Sequence, residues 1–123
     1  MRFSIQTLWT VALLMTGTMI VSACHSYHIE TTVKNDTGSS ITLLEVDYPS
    51  ASFGADALDA NGTYHHRIQT RDSGAMKVQY TGPNGKQVQI TGPTLYEGQE
   101  GRIEIDLLPN GKAEFHPVLN PAH

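Results

Sequence analysis

Six histidines (His25, His28, His65, His66, His116 and His123) and one cysteine, Cys24, are the side chains best suited to hold a metal or attack a substrate. A zinc or copper centre needs three or four ligands converging at ~2.0–2.3 Å. His65 and His66 are neighbours in sequence, so on a strand they point to opposite faces and cannot chelate one ion together. His28 and His65 could meet only across neighbouring strands. His66 shares a face with Tyr64 and Ile68 and reads as a half-buried strand histidine with a hydrogen-bonded ring. The expectation is no metal and no other cofactor, with His65 and His66 as the alternative metal ligands.

Other arrangements are weaker. Asp56, Asp59, Asn61 and Gly62 offer clustered oxygens of the kind calcium takes, but their spacing misses the EF-hand pattern and reads as a solvated turn. Glu97, Glu100 and Glu104 read as solubilising charge rather than paired glycosidase acids. Ser50, Ser52 and Ser73 lie outside any Gly-x-Ser-x-Gly elbow. No glycine loop opens a helix to cradle phosphate. An enzyme is therefore not expected, and a small hydrolase ranks last among the readings.

Recognition is a better use of these residues. Residues 49–62 read as the longest irregular stretch, with Tyr48 and Phe53 flanking small side chains. Long loops on rigid scaffolds carry binding, and exposed aromatics supply contact area. Tyr48, Phe53, Asp56 and Asp59 are the candidate binding loop, against the alternative that Phe53 folds back to plug the sandwich.

The elements that must position these residues are strands. Ile29, Thr31 and Val33 alternate with Glu30, Thr32 and Lys34. The same period of two runs through 41–48, 64–69, 76–80, 87–90, 102–107 and 113–115. In 41–48 the apolar parity shifts at Leu43-Leu44, which predicts a bulge. Asn35-Asp36-Thr37 and Asn61-Gly62-Thr63 match glycosylation sequons but read as turns. Pro83-Asn84-Gly85-Lys86 and Pro109-Asn110-Gly111-Lys112 repeat one turn sequence, suited to a type I turn with a glycine bulge. About seven short strands predict an all-β, antiparallel sandwich of immunoglobulin or fibronectin type, with a small barrel as the alternative. The cysteine pair and core tryptophan of immunoglobulin domains are missing, since Trp9 is the one tryptophan.

The first 23 residues differ from the rest. Arg2 and the amino terminus are positive, an apolar run extends from Leu8 to Val21, and small residues Ser22 and Ala23 follow. These are the three parts of a secretory signal helix. The run is short of the ~20 apolar residues that cross a bilayer. Val21-Ser22-Ala23-Cys24 resembles the lipobox of bacterial lipoproteins. That resemblance implies cleavage between Ala23 and Cys24 and a diacylglyceryl, palmitate-type lipid on the Cys24 sulfur. Two acyl chains give stable attachment where one is marginal. His25 stands where an aspartate marks inner-membrane retention in enterobacterial lipoproteins, so the resemblance favours the outer membrane where one exists.

The expected organisation is a signal peptide over 1–23, a lipidated tether over 24–26, a sandwich over 27–116 and a proline-containing tail over 117–123. After cleavage, seven Lys and Arg face twelve Asp and Glu, a net side-chain charge of −5. An acidic domain lacks the electrostatic footprint of a nucleic-acid binder. The tether from Cys24 to Tyr27 reaches about 10 Å, which keeps the domain near the membrane. The expected function is a membrane-anchored, non-enzymatic envelope module that binds another envelope protein or a glycan. The alternative is a metal-handling lipoprotein that combines histidines with loop carboxylates.

Overall fold

The computed structural model describes residues 26–122. The described residues form eight strands: β1 (Ile29–Asn35), β2 (Ile41–Tyr48), β3 (Ala51–Leu58), β4 (Thr63–Ile68), β5 (Gly74–Thr81), β6 (Gln87–Leu95), β7 (Glu100–Leu108) and β8 (Lys112–Asn120). They make two four-stranded sheets, ordered β4-β1-β7-β8 and β3-β2-β5-β6. The all-β sandwich expected from the alternation is the architecture found, with eight strands in place of about seven. Pairing is antiparallel except between β1 and β7, which run parallel and make the first sheet mixed.

Period-two alternation becomes burial on one face. Ile29, Thr31, Val33 and Asn35 of β1 point inward, as do Met76, Val78 and Tyr80 of β5 and Ile103, Ile105 and Leu107 of β7. These side chains form one continuous core between the sheets. Each fully buried aliphatic contributes about 1.5–3 kcal/mol of transfer free energy. That core must hold the fold without an intrachain disulfide, since Cys24 has no second cysteine to pair with.

The bulge lies where the parity shifts. Leu43 adopts φ 53° and is exposed, while Leu44 returns to the core. The register with β5 slips between Thr42 and Glu45. Across the hairpin, the Leu44 carbonyl oxygen occupies the space that a Cβ on residue 54 would fill. Only glycine fits there, so Gly54 is matched to the bulge opposite it.

Two expectations need correction. Residues 49–62 are not irregular: Pro49-Ser50 is a two-residue connection, and β3 pairs with β2 from Tyr48–Ala51 to Ile41–Leu58. Ala51, Ser52, Gly54, Ala55 and Ala57 carry little strand propensity, and the pairing partner overrides it. The carboxy-terminal segment is not a tail from 117 onward either, because β8 continues to Asn120 with Pro117 opposite Ile103. Proline is tolerated because β8 is an edge strand and needs no donor on its free side.

Asn35 is a buried polar node at the end of β1. Its Nδ2 donates to the carbonyls of Ser39 (2.8 Å) and Leu58 (3.0 Å), with the Asp59 carbonyl at 3.1 Å. Its Oδ1 accepts from the Thr37 amide at 3.1 Å and the Thr37 hydroxyl at 2.6 Å. A side chain so enclosed has no room for a glycan. The sequon is a turn, as its residues suggest.

Candidate functional site

The topology gives the sandwich two distinct ends. β1, β3, β5 and β7 run away from the amino-terminal end, and β2, β4, β6 and β8 return toward it. The near end carries Ile29, the Tyr48–Ala51 hairpin and the segments between Ile68 and Gly74 and between Leu95 and Glu100. The near-end segments are laced together. The Thr70 hydroxyl donates to the Tyr96 carbonyl at 2.9 Å, and buried Gln99 accepts from the Tyr96 amide and donates to the Pro121 carbonyl, each at 2.8 Å. The far end carries the Asp36–Ser40 turn, Asp59–Gly62 and both proline-asparagine-glycine-lysine turns.

Tyr48, Phe53, Asp56 and Asp59 do not form one loop. Tyr48 lies at the near end and Asp59 at the far end, separated by the full length of β3. Eight strand residues span about 27 Å. Asp56 is exposed on β3, and the Asp59 carbonyl accepts the Gly62 amide at 2.9 Å in a tight turn. Phe53 is buried and belongs to the core. Its ring stacks on His66 at a centroid separation of 4.6 Å and lies 6.0 Å from Tyr64 and 6.2 Å from Tyr48. Phe53 is a plug, set along the open side where β3 and β4 meet rather than at an end.

His65 and His66 do not converge. His66 is half-buried on the inner face against Phe53, so packing rather than a hydrogen bond to its ring defines its place. His65 points outward, and its Nδ1 shares a 2.8 Å hydrogen bond with the Thr32 hydroxyl across the β1–β4 pair. Neither ring has the other within reach of a shared ion. Ala23, Cys24, His25 and His123, with the whole of 1–23, lie outside the described residues.

Two features escaped the sequence reading. One is the far rim, where the twin turns come together over a solvent-open cleft of about 850 Å³. Thr37, Ser39, Asn84 and Asn110 edge it above Ile41, Val88 and Leu108. The two turns have the same sequence but different geometry. Thr81 and Gln87 flank five residues in the first, where only Gly85 is left-handed (φ 77°). Leu108 and Lys112 flank three in the second, where Asn110 (φ 67°) and Gly111 (φ 71°) are both left-handed. The shorter connection needs two left-handed residues to reverse the chain, and asparagine and glycine supply them.

The other feature is a side-chain group on the outer face of the first sheet. Asp106 of β7 stands opposite Glu114 of β8, and Glu104 stands opposite His116. His116 Nε2 lies 3.3 Å from Asp106 Oδ2 and 3.5 Å from Glu114 Oε2. The signal for this group was in the turn. A hairpin centred on Asn110 pairs 108 with 112 and therefore 106 with 114.

Elsewhere, Glu45 accepts a hydrogen bond from Gln79, and these two line a second solvent-open cleft of about 980 Å³ beside the bulge, together with Phe53 and Asp56 of the candidate binding residues. Burial pushes the Tyr80 phenol up. Asp47 is also raised, first by desolvation and then by the Glu45 charge, with Lys77 opposing.

No family model matches the chain, and no curated protein matches it. Among solved structures, the chain is similar to one described as the NMR structure of the protein from Eubacterium rectale. The match has a TM-score of 0.55 at 13% identity and covers 78% of this chain and 93% of that one. At that identity the likeness supports a shared fold, and the sandwich is the conclusion it carries.

Proposed function

We propose that the chain is a lipid-anchored bacterial envelope protein whose sandwich is a non-enzymatic, immunoglobulin-like binding module. Cleavage before Cys24 and lipidation of its sulfur would fix the amino-terminal end at the membrane. Ile29 opens β1 five residues later, so the tether reaches at most about 17 Å. The observation that carries the reading is the polarity of the sandwich. The cleft between the twin turns lies at the end opposite Ile29, where an anchored domain meets its surroundings. Strands of seven to nine residues put that rim about 25–30 Å beyond the start of β1. The occupant of the rim is another envelope protein or a glycan, and the outer membrane is the favoured location where one exists.

Photo-crosslinking on intact cells tests this. A crosslinker at Asn84 or Asn110 is expected to give a discrete adduct with one envelope component. The same group at Asp72, on the near end, is expected to give adducts with lipid or none. Identical adduct patterns from both ends would contradict the reading.

A further inference from the structure

We propose that Asp106, Glu114 and His116 form a binding site for one divalent transition-metal ion, zinc(II) foremost, on the outer face of the β7–β8 hairpin. The donor atoms of the three side chains all lie within 4.8 Å of one another. The two separations from His116 are close to those of neighbouring ligands around an ion. Two ligands bonded at ~2.1 Å and subtending 100–110° stand ~3.2–3.4 Å apart. His116 Nε2 is 3.3 Å from Asp106 Oδ2 and 3.5 Å from Glu114 Oε2. A charge-assisted hydrogen bond between the same atoms would close to ~2.7–2.9 Å.

The strand register gives a second reason. Asp106 and Glu114 are directly opposite each other, and like charges so placed destabilise a sheet. Glu104, opposite His116, adds a third carboxylate on the same face. Lys34 is in register with Asp106 across the β1–β7 pair, but its Nζ turns to Asp36 at 3.6 Å. A dication at the centre of the three donors offsets the repulsion. One imidazole with two carboxylates suits zinc and its neighbours in the transition series better than calcium, which takes six to eight oxygens. Asp106, Glu114 and His116 are all partly or largely exposed, at 29%, 61% and 50% of their side-chain surface. Solvent can therefore complete the coordination. His65 and His66 take no part.

Zinc chloride titrated into the full chain tests the site, by calorimetry and by NMR of the histidine rings. Detergent-solubilised protein carrying Cys24→Ser removes the competing thiol. One zinc per chain is expected, with the His116 ring shifted and the His65 ring unchanged. Loss of an outer partner of a metal ligand already weakens affinity about 10–100-fold. His116→Ala should weaken binding by at least that much, and Asp106→Asn and Glu114→Gln by about tenfold or more. His65→Ala should leave it unchanged. All four positions are on the outer face, and unaltered thermal midpoints without zinc would show that the fold is intact. No binding at millimolar zinc, or binding undiminished by His116→Ala, would overturn the proposal.

Discussion

Phe53 of β3 stacks on His66 of β4 with ring centroids 4.6 Å apart and planes inclined by 21°. The two strands are edges of different sheets, so this contact closes one side of the sandwich. Phe53→Ala should therefore destabilise the domain by about 3–5 kcal/mol, as loss of a buried aromatic does. His66→Ala should cost less, because the ring is only partly buried. A double-mutant cycle by urea denaturation should return a coupling of about 0.5–1.5 kcal/mol. Additive single effects would show that the two rings merely adjoin.

Asn35 carries the turn at the far end. Asn35→Ala leaves the carbonyl of Leu58 and the amide of Thr37 without their partner. A buried group so orphaned costs about 1–3 kcal/mol. Asn35→Asp should be no milder, because a carboxylate cannot donate to the carbonyls of Ser39, Leu58 and Asp59. Thermal unfolding of both variants checks this. An isosteric aspartate that restored full stability would mean that shape, not donation, holds the turn.

Strand character was legible wherever one face is apolar, as in Ile103, Ile105 and Leu107 of β7 or Met76, Val78 and Tyr80 of β5. The bulge at Leu43 was legible because burial must follow parity. β3 was not, since its small residues resemble a loop until β2 pairs with them. The loop expected to carry the candidate binding residues was misread for the same reason: a strand separates Tyr48 from Asp59. The Asp106, Glu114 and His116 group depends on one register between two strands, which alternation alone does not fix. The end-to-end polarity of the rim depends on topology and has no local sequence signature.

Asp47 should make stability depend on pH. Its folded-state pKa lies above the ordinary 3.8, chiefly through desolvation and then through Glu45. The folded state thus holds the proton more tightly than the unfolded chain does. Its penalty is absent below 3.8, grows as pH rises through the window between 3.8 and the raised value, and is fully present above it. Asp47→Asn should be more stable than the parent at pH 7, and the difference should vanish toward pH 3.5. Denaturation curves at several pH values decide this, and a pH-independent difference would contradict it.

We propose that lipid on Cys24 anchors the domain to a membrane. Intact-mass measurement of the protein isolated from its native membranes tests it most directly. A chain beginning at Cys24 is expected, with a mass above that of residues 24–123 by a diacylglyceryl group. A chain with an unmodified Cys24, or one that still begins at Met1, would contradict it.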